Sequence, residues 1–196
     1  MKKLCKFNAE LCLLKAQINQ HFLFNTLNNI YSFIIAKDDR AAQAVINLTG
    51  FMRYVIRNAK EEKIPLQEEL DYITHYVELQ RYRAVSKAHI DFMLNGLAED
   101  RKIAPLMLIT FIENAFKYGL SPEVDSLVWV DITINGNELC LTTYNKKARQ
   151  AFPDISSGIG IANTRDRLRL LYPDRHRLVI KDDDNSFLVN LIIRLQ

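Results

Sequence analysis

Apolar residues recur at helical spacing from about residue 4 to residue 83. From Ala84 onward the spacing changes to short alternating runs broken by turn residues. A chain written this way folds as a helical module followed by a mixed α/β layer, an α+β arrangement with its join near residue 84. The spacing places a first long helix over about 4–36, a second over about 40–59 and a third from Leu66 to Arg83. Lys37-Asp38-Asp39-Arg40 separates the first two, and Asp38 or Asp39 is suited to cap the second. Gly50 weakens the second helix by about 1 kcal/mol of propensity, which points to a close packing contact. Pro65 stands near the start of the third, where a missing N–H is tolerated. Beyond the join, His89–Leu94 alternates as a strand. Pro105–Tyr118 is apolar almost all round and reads as a buried helix with Gly119 as its C-cap. Ser126–Ile134 and Glu138–Tyr144 read as a hairpin around Asn135-Gly136-Asn137. An irregular stretch over Lys146–Ser157, a helix over Ile161–Leu171 and a hairpin of Leu178–Lys181 with Phe187–Leu195 complete the chain.

Composition removes several function classes. A net charge of +3, scattered along 196 residues, is too mild to argue for nucleic acid. Cys5, Cys12 and Cys140 have neither the number nor the spacing of a disulfide framework or a zinc site, so reduced thiols in the cytoplasm are expected. No apolar run approaches the roughly 20 residues that span a bilayer. The opening MKKLCKFNAELCLLKAQ reads as the incoming helix, with Leu4, Leu11, Leu14 and Ile18 at helical spacing, and not as a signal peptide.

Three stretches carry chemistry. On the first helix, Leu23, Phe24, Leu27, Ile30, Tyr31 and Ile34 form an apolar stripe expected to face a core. Gln17, His21, Asn25 and Asn28 lie on roughly the opposite side, where amides can orient an imidazole without adding charge. By spacing alone His21 is either a reactive group or a surface histidine without a task. On the buried-looking helix, Thr110, Glu113, Asn114 and Lys117 form a polar stripe that needs partners or a ligand. Glu113 and Asn114 suit a hydrated Mg²⁺, and Lys117 suits phosphate; a solvated helix face is the other reading. Finally, Ser157-Gly-Ile-Gly-Ile-Ala-Asn163 precedes a helix, so Gly158 and Gly160 either let backbone N–H groups approach a phosphate or simply make a turn. It fits neither the Rossmann fingerprint nor the Walker loop.

The string QINQHFLFNTLNNI resembles the phospho-acceptor box of the LytS/YehU-type sensor histidine kinases, with His21 at the phosphorylated position. PLQEELDYITHYVELQRYR resembles the family's linking helix. Pro105 through Glu113-Asn114-Ala-Phe-Lys117-Tyr118-Gly119 resembles the N box of the GHKL ATP-binding fold, and Gly158-x-Gly160 with Asn163 and Arg167 resembles its glycine box. The boxes appear in the family's order over nearly the whole chain.

The resemblance implies a helical dimerisation and phospho-acceptor domain over 1–84 and a GHKL sandwich over 85–196. It implies ATP and Mg²⁺ as cofactors, with Asn114 as the metal ligand and Glu113 polarising the water or metal shell. It implies that Lys117 lies near the phosphates, that Gly158, Gly160 and Asn163 line the phosphate side, and that Arg167 supports that loop. Three positions depart from the family pattern: Gln20 replaces a proline, Tyr118 replaces a histidine in the nucleotide site, and Asn145 stands where many members have the aspartate that meets adenine. The implied activity is autophosphorylation of His21, followed by transfer to an aspartate of a separate response regulator, in a homodimer. Because the resembled kinases usually carry membrane segments, the chain is expected to be a cytoplasmic core, either a fragment of an inner-membrane sensor or a chain without a sensor of its own. The alternative is a degenerate dimeric scaffold that binds a regulator without transfer. A GHKL kinase acting on a partner's serine fits the sandwich but leaves the His21 helix unused.

Overall fold

The computed structural model describes residues 20–58, 61–84, 88–121, 126–147 and 159–195, the side chains of Gln20 and His21 excepted. The chain divides into two compact units: one holds the residues up to Glu62 together with Leu70–Arg83, the other holds Lys63–Glu69 together with the chain from Ala84.

The first unit contains α1 (Gln20–Ile35), α2 (Arg40–Asn58) and all but the first turn of α3 (Leu66–Arg81). Asp38 caps α2, accepting the Arg40 backbone N–H at 2.9 Å. The core is aromatic. Phe22 lies 5.2 Å from the ring of Phe51 and 5.0 Å from that of Tyr76, while Tyr72 stacks between Phe51 and Tyr54 at 5.0 and 4.1 Å. Such ring pairs add about 0.5–1.5 kcal/mol each beyond the area they bury. Gly50 is the close contact expected of it: a Cβ there would sit 2.3 Å from His75 Nε2.

The apolar stripe of α1 differs from expectation. Phe22, Thr26 and Ile30 are the buried positions, whereas Phe24 (65% exposed), Leu27, Tyr31 (65%) and Ile34 stand in the open, as do Val45, Ile46 and Ile56 on α2. The helix has two apolar faces, and the intrachain aromatic cluster takes only the one that includes Phe22 and Ile30.

The second unit is built on a five-stranded sheet in the order β2 (Ala88–Asn95), β4 (Ser126–Asn135), β5 (Glu138–Lys146), β7 (Ser186–Arg194), β6 (His176–Asp182). Strands β2 and β4 are parallel and the other neighbours antiparallel. The expected hairpin around Gly136 is present, with φ +55° at that glycine as a tight two-residue turn requires. Burial alternates along β4 and β5, so Val128, Val130, Ile132, Leu139, Leu141, Thr143 and Asn145 share one covered face. Helix α4 (Ile109–Gly119) packs on β4 and β5, and α5 (Ile159–Leu171) packs beside it. Strands β1 (Ile64–Pro65) and β3 (Lys102–Ile103) form a short antiparallel pair just before α3 and α4.

Two expectations about α4 need correction. The helix begins at Ile109, not Pro105; residues 105–108 form a turn in which Leu106 takes a left-handed φ of +57°. Nor does Gly119 close the helix in a left-handed conformation. It is the last helical residue, and Leu120 follows in an extended one. Gly119 is required for space: a Cβ there would lie 2.7 Å from both Asn145 Cβ and Val128 Cγ2.

Candidate functional site

The apolar side of α4 (Ile109, Phe111, Ile112, Ala115 and Phe116) is buried on the sheet. That burial turns Thr110, Glu113, Asn114, Lys117 and Tyr118 to the less covered side, with Lys117 exposed and the others partly so. The polar stripe read from the sequence is therefore one continuous surface. Helix α5 flanks it, for Thr164 Oγ1 donates to Thr110 Oγ1 at 3.1 Å. Gly160 lies in the first turn of α5, which begins two residues earlier than expected, at Ile159. A Cβ on Gly160 would meet Thr110 Cγ2 at 3.4 Å. This first turn presents backbone N–H groups without intrahelical partners, the usual place for an anion. Asn163 is exposed on the same helix. Arg167 is half-buried and donates from Nη2 to the Pro105 carbonyl at 2.9 Å, holding the turn that enters α4. Gly158 lies outside the described residues.

Beneath the end of α4, Asn145 is completely buried at the end of β5, and its Oδ1 has no hydrogen-bond partner. Its Nδ2 reaches the Lys146 carbonyl at 3.4 Å, a poor contact. The Tyr118 hydroxyl is likewise buried and unpartnered. An acceptor left unpaired in such surroundings costs on the order of 1–3 kcal/mol, and a ligand donor removes that cost. Glu113 is the other unusual group: burial pushes its carboxyl up to about 7, with the nearby Lys117 ammonium opposing the shift. Residues with this combination of depth and a charged neighbour gather at functional sites.

Among the described residues no cluster of three or more His, Cys, Asp or Glu is placed to hold a metal. A magnesium ion held by Asn114, waters and phosphate oxygens requires no such cluster, because Mg²⁺ binds few protein oxygens directly. The residues present fit a magnesium nucleotide: an orphaned acceptor for a base, an amide and a carboxyl on one helix face, an ammonium beside them, and a helix N-terminus alongside.

His21 belongs to the other unit. Its backbone lies in the first turn of α1, next to Phe22 in the aromatic core; its side chain, and Gln17, lie outside the described residues. Asn25 is partly buried and Asn28 exposed. Sequence reasoning missed Glu69, which sits at 0% exposure and accepts backbone hydrogen bonds from the turn before α4. The missing signal was indirect: no Ser, Thr, Asp or Asn stands just before Ile109 to cap that helix.

In chain order, a helical module carrying a histidine in its first described turn is followed by a sandwich with such a helix face. The histidine kinase family matches residues 9–88. A solved structure described as a bacterial phosphotransferase shares the fold, with a TM-score of 0.52 at 12% identity over 95% of this chain and 96% of that one. The relatives include sensor proteins named LytS and sensor histidine kinases named BtsS. The sensor protein LytS of Oceanobacillus iheyensis is 29% identical over 98% of this chain and 35% of its own length. The sensor histidine kinase BtsS of Escherichia coli K12 is 26% identical over 91% and 32%. The resemblance to the LytS-type sensor histidine kinases thus holds over nearly the whole chain, which spans about a third of the length of these curated relatives. No helix among the described residues is long and apolar enough to cross a membrane.

Proposed function

We propose that this chain is the core of a two-component sensor kinase that uses ATP and Mg²⁺ to phosphorylate His21 and passes the phosphoryl group to an aspartate of a separate response regulator. The observation that carries the nucleotide part is the buried, unpartnered Oδ1 of Asn145, an acceptor awaiting the amino group of adenine. Asn114 would ligate the metal and Glu113 would order its water shell. Lys117 would balance phosphate charge, and the N–H groups around Gly158 and Gly160, with Asn163, would hold the phosphate tail. Tyr118 would line the base pocket, and Arg167 keeps the α4 turn in place through Pro105. Bound Mg²⁺ supplies charge neutralisation on the phosphates. A neutral imidazole nitrogen of His21 forms the new P–N bond as the bond to the ADP oxygen breaks.

The exposed stripe of Phe24, Leu27, Tyr31 and Ile34 supports a homodimer, because a helical module with a second apolar face is completed by another copy. A second reading, a regulator-binding scaffold without transfer, draws on Gln20 and on the amide at Asn145. Equilibrium binding of ATP separates the two. The kinase reading expects magnesium-dependent binding that Asn114→Ala abolishes; absence of binding by the unaltered chain favours the scaffold.

A further inference from the structure

Helix α4 starts without a cap of its own, since its N-cap residue Leu108 makes no side-chain capping bond. The N–H groups of the turn that leads into it are taken by a carboxylate remote in sequence. Glu69 Oε2 accepts from the Leu106 N–H at 3.0 Å, and Oε1 accepts from Met107 at 3.0 Å and Leu108 at 3.2 Å. Glu69 is fully buried, so any displacement would leave a carboxylate and several N–H groups unsatisfied together. The same turn is held by two further contacts. Arg167 donates to the Pro105 carbonyl at 2.9 Å, and the Ala104 N–H donates to the Tyr172 hydroxyl at 2.8 Å. Between these contacts Leu106 is kept at φ +57°, a backbone conformation a leucine avoids unless its surroundings impose it. The turn from Ala104 to Leu108 is thus a clamped hinge whose direction fixes the axis of α4.

Resting on the kinase reading, we propose that Glu69 is a positioning residue for the nucleotide site: holding the turn that leads into α4, it sets where Glu113 and Asn114 stand and hence the affinity for magnesium-bound nucleotide. A helix moves as a stiff rod, so a shift at Leu108 reaches Asn114, about 9 Å further along the axis at 1.5 Å per residue. A misplacement of about 1 Å in a site of this kind is enough to cost a large factor in function. Glu69 also stands in the first turn of α3, whose later turns from Leu70 belong to the first unit. Within the second unit, one carboxylate therefore holds the turn that leads into the helix carrying Asn114.

The test uses the full chain with Glu69→Gln and Glu69→Asp. A fluorescent ATP analogue is titrated with Mg²⁺ and again with EDTA, and folding is followed by circular dichroism. Glutamine keeps the shape and one accepting oxygen but loses the charge and sets an NH2 donor against N–H groups at its other end; aspartate keeps the charge one methylene short. The expected result for folded Glu69→Gln is a dissociation constant raised about tenfold or more with Mg²⁺ and less than threefold without it, with Glu69→Asp recovering only part of the loss. Wild-type affinity in a folded Glu69→Gln, or equal losses with and without Mg²⁺, would overturn the proposal. If Glu69→Gln does not fold, Glu69→Asp decides: weakened magnesium-dependent binding supports positioning, and unaltered binding overturns it. Failure of the unaltered chain to bind the analogue with Mg²⁺ sinks the kinase reading itself and this proposal with it, a result visible before any variant is compared.

Discussion

Gly119 and Asn145 approach so closely that a methyl group added to Gly119 would lie 2.7 Å from Asn145 Cβ. The end of α4 rests directly on the strand position that holds the orphaned acceptor, with no room between them. Gly119→Ala must therefore push α4 away from β5 and from Val128. We expect a loss of about 1–3 kcal/mol in urea unfolding, as overpacking usually costs, together with at least a tenfold loss of nucleotide affinity by calorimetry.

Asn145 invites a test of base selectivity. An amide can turn and offer a donor, whereas a carboxylate only accepts. Asn145→Asp should therefore widen the preference for ATP over GTP by about tenfold, since a charged acceptor bonds an amino group roughly twice as strongly as a neutral one. Asn145→Leu, similar in shape but without an acceptor, should weaken ATP binding at least tenfold. Equal discrimination in wild type and the Asp variant would remove Asn145 from the base site.

Glu113 makes stability depend on pH. Its carboxyl is raised from 4.5 to about 7, mainly by burial. A raised folded-state value means the native state holds the proton more tightly than the unfolded chain. The stability it contributes is complete below about pH 4.5, declines between 4.5 and 7, and is gone above 7. The full span is on the order of 3 kcal/mol. Glu113→Gln should lack this decline, so its advantage over wild type in urea unfolding should grow from pH 5 to pH 8. A constant difference across that range would show that Glu113 is not desolvated.

Much of this was legible in the sequence. Asp38 before Arg40, the alternation along β4 and β5 and the turn at Gly136 are local signals, and local physics realises them. The polar stripe from Thr110 to Lys117 was legible because its spacing matches a helix. What was not legible depends on partners remote in the chain. Glu69 reads as an ordinary acid in the first turn of a helix, yet its bonds reach residues nearly forty positions away. Gly119 reads as a cap, yet its reason is Asn145. The exposure of Phe24 and Tyr31 could not be told from a core stripe, because hydrophobic periodicity shows that a face is to be covered and not by what.

Gly50 offers a double-mutant cycle. Alanine there gains about 1 kcal/mol of helix propensity, but its Cβ would lie 2.3 Å from His75 Nε2. Gly50→Ala should destabilise the helical unit by about 1–3 kcal/mol, and the same substitution in a His75→Ala background should be neutral or stabilising. Equal effects in both backgrounds would rule out the contact.

The exposed face of α1 leads to a test of assembly. Leu27→Glu or Tyr31→Glu should convert a dimer to a monomer in sedimentation equilibrium without loss of helix content, because neither side chain supports the intrachain aromatic core. A monomeric wild type would contradict the homodimer.

The most direct measurement is incubation with γ-labelled ATP and Mg²⁺, comparing the chain with His21→Ala and Asn114→Ala. The kinase account predicts acid-labile, base-stable label on the wild type, absent from both variants. Label that survives acid, or that remains on His21→Ala, would contradict it.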